Sequence, residues 1–194
     1  YIRGLTKTDE ISLYYDIDYQ YKGVKMSNNI FLNNNIEEQL LNKIFFTLIN
    51  EDKWDTLFEV LSLKVIDVNT KDFRGRNALF WAINKGNISS IEKLMRLNIS
   101  TEVSPNLSAI NYAVYKDNVK VIKCLRNCGV NLNEIDDINS TPIIYAVLYN
   151  KLNSINYLIE NGADINHEDF LGNSAFSLAH NLKIKFLIEK FENF

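Results

Sequence analysis

The sequence predicts an all-α solenoid of about four to five helix-turn-helix repeats, preceded by an N-terminal arm outside the repeat pattern. The first observation is a recurring motif in which a small residue, an apolar residue and an aromatic residue precede an alanine. It occurs before Ala82, Ala113 and Ala146, and with leucine in place of the aromatic residue before Ala179. The four alanines are 31, 33 and 33 residues apart, a spacing typical of stacked helical repeats.

The second observation is an apolar pattern that follows each of the first three alanines with the spacing of one helical face. Its members are Ile91, Leu94, Met95, Ile122, Leu125, Ile155, Leu158 and Ile159. The second and third copies are followed by Gly129 and Gly162, where a left-handed glycine is predicted to stop the helix. Each unit is therefore predicted to be a pair of short helices followed by a turn rich in Asp, Asn and Gly. One such pair cannot bury its apolar face alone, so the pairs are expected to stack.

Residues 1–37 do not follow the repeat and are predicted to form an N-terminal extended arm or linker. Residues 11–21 are rich in strand formers and partly alternate, which favours a short strand or an extended arm. Residues 25–29 and 33–35 are typical of linkers. Two interpretations stay open: an arm that engages a partner or folds over the first repeat, and the end of a preceding domain. Because the chain begins at Tyr1 without a methionine, a removed targeting segment stays open as well.

Residues 38–194 are predicted to form the repeat domain. A divergent N-terminal repeat is placed at 38–71, further repeats at 72–102, 103–135 and 136–168, and a C-terminal capping repeat at 169–194. The first repeat is assigned by its register, because Asp67 and Asp164 are separated by the sum of the three alanine spacings. The last repeat has a shortened second helix at residues 184–191, as expected for a cap.

These units resemble the ankyrin repeat, whose signature begins with an Asp-x-x-Gly turn, continues through Thr-Pro-Leu-His-x-Ala and ends Gly-Ala-Asp-x-Asn. The best copy is residues 136–168, which contain TPIIYA at 141–146 and LIENGADIN at 158–166, and residues 72–75 are DFRG. The resemblance covers residues 38–194. We expect the Thr141 hydroxyl to cap its helix and Pro142 to occupy the first helical position, where its missing N–H costs nothing.

Composition bounds the classes of partner. The 194 residues are 46% hydrophobic and 23% charged, with a formal net charge of −3. No apolar run approaches the about 18 residues typical of a membrane span, so no membrane contact is expected. A slightly acidic balance argues against duplex nucleic acid, which needs clustered Lys and Arg, and mildly favours a partner with a basic surface. Heavy use of Asn, Ile and Lys is consistent with an AT-rich genome.

The chemistry-bearing residues do not form a catalytic motif. Cys124 and Cys128 lie four residues apart on one helix, and packing as reduced cytosolic thiols is favoured over half a metal site or a redox pair. His167, beside carboxylates, is favoured as a turn residue over a general base. No phosphate loop, Cys-x-x-Cys pair or nucleophile elbow occurs. The sequence therefore predicts no enzyme, no cofactor, no metal and a cytoplasmic location.

The resemblance implies that a protein partner is held on a concave surface, by the turn fingers and the exposed face of the inner helices. Carried over position by position, the partner-binding residues are Phe73, Arg74, Arg76, Lys85, Tyr115, Lys116, Ile138, Tyr149, Phe170, Leu171 and His180. Large apolar, aromatic and arginine side chains dominate binding hot spots, and exposed apolar stripes mark interfaces. In the alternative interpretation, some of these side chains pack between fingers or under the N-terminal arm.

The functional expectation is a protein–protein interaction module, monomeric on its own. It is expected to be an adaptor or effector from an AT-rich microbe or virus, acting in its own cytoplasm or in that of a host cell. Two alternatives stay open: an immunity or inhibitor protein that neutralises a toxin enzyme, and a scaffold fragment of a larger multidomain protein.

Overall fold

The computed structural model describes residues 30–193, with side chains described from residue 39 onward. The chain divides into Tyr1–Leu40 and Leu41–Phe194, and the packing described below belongs to the second unit. Within the described residues there are ten helices and one hairpin of two short strands. In chain order they are α1 (Ile30–Asn50), α2 (Trp54–Ser62), α3 (Ala78–Lys85), α4 (Ile88–Arg96), β1 (Glu102–Ser104), β2 (Leu107–Ser108), α5 (Ala109–Tyr115), α6 (Val119–Asn127), α7 (Pro142–Leu148), α8 (Leu152–Glu160), α9 (Ala175–Asn181) and α10 (Lys185–Glu192).

The helices from α3 onward form pairs that stack in two rows. The two helices of each pair pack against each other: α3 against α4, α5 against α6, α7 against α8, and α9 against α10. The first helices of successive pairs contact one another along the row α3, α5, α7, α9, and the second helices do so along the row α4, α6, α8. The predicted helical repeat fold is confirmed. None of the helices in residues 30–193 is long and apolar enough to cross a membrane.

The repeating alanines and apolar residues form the core between the pairs. Ala82, Ala113, Ala146 and Ala179 are each 0% exposed, so the first helices approach closely where the motif places a methyl group. The second helices bury Ile91, Leu94, Ile122, Leu125, Ile155 and Leu158, also at 0% exposure. A single helix pair would leave these apolar side chains exposed to water, and stacking of neighbouring pairs buries them.

Left-handed backbone conformations recur at the repeat spacing. Gly75, Asn106, Asn139 and Gly172 all have positive φ, at 75°, 58°, 60° and 75°, and each ends the turn that precedes a first helix. At Gly75 a Cβ atom would lie 2.8 Å from Cγ of Pro105 in the next turn, whereas at Gly172 nothing lies within 4 Å. Gly129 and Gly162 also have positive φ, as the sequence predicted for the ends of α6 and α8.

Helix α1 begins inside the predicted linker. Residues 30–37, including the three asparagines at 33–35, are helical, so the extended conformation expected there is corrected. Phe45 and Ile49, four residues apart, are fully buried and anchor the helix, and such tertiary burial outweighs the modest helix propensity of asparagine. The strand predicted at residues 11–21 lies outside the described residues.

The helix N-termini confirm one expectation and correct another. Pro142 is the first residue of α7, as predicted. The Thr141 side chain makes no capping hydrogen bond, and its hydroxyl is buried without a partner. At α9, by contrast, Ser174 and Ser177 cap each other reciprocally. The residue equivalent to Ser177 is Ile144, which has no polar group to complete such a box.

Candidate functional site

One carboxylate organises each of three turns. Asp72, Asp136 and Asp169 each accept hydrogen bonds from the backbone N–H groups two and four residues later, at 2.8–3.1 Å. We call these turns, residues 72–75, 136–139 and 169–172, the turn fingers. Burial alone raises the pKa of Asp169, but the hydrogen bonds donated by Asn173, Leu171 and Ser140 bring it below its ordinary value. The carboxylate therefore stays charged and holds the turn closed.

The middle positions of the fingers carry large apolar side chains at the surface. Phe73 is 58% exposed, Ile138 37%, Phe170 76% and Leu171 77%. The aspartate and the left-handed residue on either side of them are committed to the turn, and the middle pair places the apolar side chains of Phe73, Ile138, Phe170 and Leu171 in contact with water. Large apolar groups at such positions lose contact with water only when something covers them.

The last two fingers are joined directly to each other. Phe170 donates its backbone N–H to the carbonyl of Ile138 at 3.0 Å. Asn139 Nδ2 donates to the carbonyl of Glu168 at 2.9 Å, and His167 Nε2 lies 2.8 Å from the carbonyl oxygen of Asn139. His167 thus bridges two turns, in agreement with its interpretation as a turn residue.

Tyr115 and Tyr149 meet at the ends of the first helices. Their rings are 5.7 Å apart in an edge-to-face arrangement, and the Lys151 ammonium lies 5.0 Å from the Tyr115 ring centroid. Tyr149 also stacks on Tyr145, and burial raises the pKa of Tyr149. Both rings are half-buried, so one part of each ring packs between repeats and another part is exposed at the surface.

The predicted lysines are exposed and also connect neighbouring repeats. Lys85 Nζ lies 3.1 Å from a carboxylate oxygen of Asp52, and Lys116 Nζ donates to Asn84 Oδ1 at 3.1 Å. Asn84 Oδ1 also accepts a hydrogen bond from Tyr112 at 2.9 Å. Because each ammonium group is only partly desolvated, these contacts leave Lys85 and Lys116 accessible to a partner.

Arg76 departs from its predicted place at the surface. It is 4% exposed, its Nε donates to Asp72 Oδ2 at 2.8 Å, and its guanidinium lies 4.5 Å from the Trp81 ring centroid and 5.2 Å from that of Phe80. Desolvation lowers the pKa of Arg76 although Asp72 opposes the shift. The residue directly after the finger is buried at Ser140 and half-buried at Asn173, and the same position places Arg76 inside. Arg74 is half-buried, with its guanidinium 5.4 Å from the Phe73 ring centroid.

His180 lies apart from the tyrosines. It is exposed and packs on Phe176, with ring centroids 4.6 Å apart. Its counterparts one and two repeats earlier, Val147 and Val114, are 0% exposed and pack between repeats. His180 therefore occupies a stacking position of the last helix pair and does not continue the surface formed by the fingers and the tyrosines.

Acidic residues lie beside the exposed apolar tips, and sequence reasoning missed Glu168 among them. Asp137 precedes Ile138 and Glu168 lies two residues before Phe170, and both carboxylates are exposed. Counting charges separately in each part of the chain would have indicated an acidic region, which the overall net charge of −3 does not reveal. Residues 67–126 contain ten Lys or Arg and five Asp or Glu, whereas residues 127–182 contain one Lys and seven Asp or Glu.

The two cysteines are free thiols on α6 and at its C-terminal end. Cys124 is buried and Cys128 is half-buried. Burial, together with the neighbouring Cys128, raises the pKa of Cys124 to about 12. A thiol that stays protonated in this way is a packing group and a poor nucleophile. Within the part of the chain that the structure describes, no three His, Cys, Asp or Glu side chains cluster as metal ligands would.

Comparison with known proteins agrees with this architecture. Residues 93–169 match the family model described as ankyrin repeats in three copies. The putative ankyrin repeat protein L371 of Acanthamoeba polyphaga mimivirus is 28% identical over 134 residues, 68% of this chain and 17% of that protein. An L-asparaginase of Dirofilaria immitis is 26% identical over 125 residues, 63% of this chain and 21% of that protein.

A third relative is the ankyrin repeat domain-containing protein M-T5 of Myxoma virus, 44% identical over 50 residues, 26% of this chain and 10% of that protein. The chain thus spans between 10% and 21% of the length of these three relatives. The family match lies within the stacked helix pairs, and the left-handed turn residues recur at the same spacing on both sides of it. Residues 93–169 of this chain are therefore ankyrin repeats.

Proposed function

We propose that this chain is a protein-interaction module that holds a partner protein against its turn fingers and the exposed ends of its first helices. Ankyrin repeats are generally protein–protein interaction modules, and stacked repeats present one extended surface built from equivalent positions. The observation that carries the proposal is the exposure of Phe73, Ile138, Phe170 and Leu171 at the middle positions of three equivalent turns. The remaining predicted contacts are Arg74, Lys85, Tyr115, Lys116 and Tyr149, while Arg76 and His180 are removed from the proposed surface.

Within this class we propose an adaptor or effector of an AT-rich microbe or virus. The heavy use of Asn, Ile and Lys supports this source, and so do the viral relatives from mimivirus and Myxoma virus. A role for this chain as part of a larger multidomain protein is the second candidate, favoured by the small share of each relative that it matches. The inhibitor of a toxin enzyme stays an alternative. The repeat boundaries, the cytoplasmic location and the absence of enzymatic activity stay predictions.

The proposal is tested by affinity purification with quantitative mass spectrometry, comparing the wild-type chain with the variant Phe73→Ala/Phe170→Ala/Leu171→Ala. All three side chains are more than half exposed, so their truncation is expected to leave folding intact. Tyr115 and Tyr149 are avoided because their rings also pack between repeats. We expect the principal partner to be recovered with the wild type and to be reduced at least about tenfold with the variant.

The matched control is Leu152→Ala/Phe186→Ala, which truncates exposed apolar side chains on the second helices α8 and α10. Circular dichroism shows whether each variant keeps its helical content. Equal recovery of the partner by the wild type and the finger variant, both folded, would contradict the proposed surface. Loss with the control alone would move the interface to the second-helix row.

A further inference from the structure

We propose that the last two turn fingers bind a segment of the partner protein in which Lys or Arg side chains flank a large apolar side chain. This inference rests on the proposed function and names the chemistry of the partner at one part of that surface. The part concerned is Asp137, Ile138, Glu168, Phe170 and Leu171, which we call the acidic platform. All five side chains are exposed.

The acidic platform is held rigid by contacts between its two fingers. Three hydrogen bonds join the two turns. The Phe170 backbone N–H donates to the Ile138 carbonyl, and Asn139 Nδ2 donates to the Glu168 carbonyl. Ser140 Oγ donates to Asp169 Oδ2 at 3.1 Å. None of these bonds uses the side chains of the platform residues themselves. The apolar tips and the carboxylates are thus presented on a preformed support, which lowers the ordering cost of binding.

Charge complementarity identifies the occupant. From residue 127 to residue 182 the chain contains seven Asp or Glu and one basic residue, Lys151. The Lys151 ammonium lies over the Tyr115 ring, one repeat away from the last finger. No Lys or Arg lies in the fingers at 136–139 and 169–172, which stand beside the exposed carboxylates of Asp137 and Glu168, so the field around the apolar tips is negative. A segment bearing Lys or Arg is drawn to that field, and like-charged segments are repelled.

Apolar contact supplies the second half of the recognition. Phe170 and Leu171 are adjacent, more than three quarters exposed, and next to Ile138 across the backbone hydrogen bond. Exposed carboxylates alone would bind any polycation weakly and with strong salt dependence. The acidic platform therefore binds most tightly a segment that places an apolar side chain on Phe170 and Leu171 while its basic side chains reach Asp137 and Glu168. An anionic membrane surface or a nucleic acid does not fit a site of this charge.

The charge asymmetry also sets a direction. Residues 67–126, which form the first helix pairs and their fingers, contain ten basic and five acidic residues, the reverse of residues 127–182. A partner that lies along the row of fingers is therefore oriented with its basic segment at the C-terminal fingers and its less basic part towards the finger of Phe73 and Arg74.

The experiment selects peptides from a phage-displayed library of random sequences on the full chain and then titrates synthetic copies by fluorescence anisotropy. The charge variant is Asp137→Asn/Glu168→Gln, and the apolar variant is Phe170→Ala/Leu171→Ala. We expect the selected peptides to combine an excess of Lys and Arg with at least one large apolar residue. The apolar variant is expected to weaken their binding at least about tenfold and the charge variant about three- to tenfold.

The matched controls remove the same kinds of group from the second-helix row. Glu160→Gln/Glu189→Gln neutralises two exposed carboxylates on α8 and α10, and Leu152→Ala/Phe186→Ala truncates two exposed apolar side chains there. Both controls are expected to bind as the wild type does. Raising the salt concentration is expected to weaken wild-type binding several-fold and to weaken binding by the charge variant less.

The outcomes separate this inference from the proposed function. Neutral or acidic selected peptides, or basic peptides whose affinity is unchanged in both platform variants, overturn the acidic platform and leave a protein-binding surface elsewhere. Light scattering tests a second occupant. If the wild type forms dimers and the charge variant does not, the acidic platform binds the basic residues 67–126 of a second copy of this chain and the proposed partner segment is wrong. Failure to enrich any peptide, together with no partner in the affinity purification, would overturn both proposals.

Discussion

The buried ion pair between Asp72 and Arg76 makes a prediction about stability. We replace Asp72 with Asn, which is isosteric and keeps the oxygen that accepts the backbone N–H groups of Arg74 and Arg76 at 2.9 Å. The substitution removes the carboxylate oxygen that accepts from Arg76 Nε at 2.8 Å and puts an amide N–H group there instead. Two donors then face each other, and the guanidinium keeps its charge because arginine does not deprotonate in proteins.

The expected cost is about 3 kcal/mol. Removing one partner of a buried ion pair costs about 3–5 kcal/mol, because the remaining charge is uncompensated. Side-chain exposures of 5% for Arg76 and 8% for Asp72 place the pair in that regime. The Trp81 and Phe80 rings stay beside the guanidinium and retain about 1–2 kcal/mol of cation–π attraction, which brings the estimate to the lower end. Arg76 Nη2 has no hydrogen-bond partner in the wild type, so little else offsets the loss.

The matched control is Asp136→Asn, because Asp136 holds the same turn without a buried cation. Its carboxylate accepts from the backbone N–H groups of Ile138 and Ser140 and from the Tyr145 hydroxyl, which can also accept from an amide. The control loses only the charge assistance of those bonds, about 1 kcal/mol.

Urea unfolding followed by both tryptophan fluorescence and far-UV circular dichroism measures the difference. Trp54 and Trp81 both lie on helices of the N-terminal half, so fluorescence reports the repeats around Arg76, and circular dichroism reports all repeats. In Asp72→Asn the fluorescence transition is expected at lower urea than the dichroism transition, because stacked repeats can unfold locally. If Asp72→Asn costs no more than Asp136→Asn, the buried guanidinium is compensated by other groups and this account of the pair is wrong.

Three further predictions test single positions. Gly75→Ala is expected to cost about 1–2 kcal/mol more than Gly172→Ala in urea unfolding, because both have positive φ but only the first meets the following turn. Thr141→Val is expected to keep or raise stability, within about 1 kcal/mol, because the hydroxyl it removes is buried without a partner; a loss above about 1.5 kcal/mol in the same assay would contradict this. With Ellman's reagent at pH 8, Cys128 is expected to react in the folded protein and Cys124 only after unfolding, because the pKa of Cys124 is raised to about 12.

The sequence predicted the repeat fold because the fold depends on a periodic pattern of burial. An alanine every 31–33 residues can be found by self-comparison, and Ala82, Ala113, Ala146 and Ala179 are all fully buried as that pattern required. The apolar residues of the second helices follow the same logic. Hydrophobic burial acts on each repeat in the same way, so a local pattern repeated several times predicts the architecture.

The departures from prediction occur where one residue differs from its counterparts in other repeats. An arginine is exposed in most proteins, and the burial of Arg76 depends on Asp72, Phe80 and Trp81 together, a combination absent from the other fingers. Comparison with the buried Ser140, at the equivalent position, would have indicated it. The extension of α1 back to Ile30 depends on burial further along that helix.

The construction of the fingers explains why a common scaffold can present different surfaces. The first residue of the turn supplies the carboxylate that closes it, and the fourth adopts the left-handed conformation, so these positions are fixed by the fold. The fifth is buried at Arg76 and Ser140 and half-buried at Asn173. The second and third carry no such duty, and they differ from one finger to the next. They are Phe-Arg at 73–74, Asp-Ile at 137–138 and Phe-Leu at 170–171. Substitution at these two positions therefore changes the chemistry offered to a partner at little cost in stability, from an aromatic and basic pair at 73–74 to an acidic and aliphatic pair at 137–138 and a wholly apolar pair at 170–171.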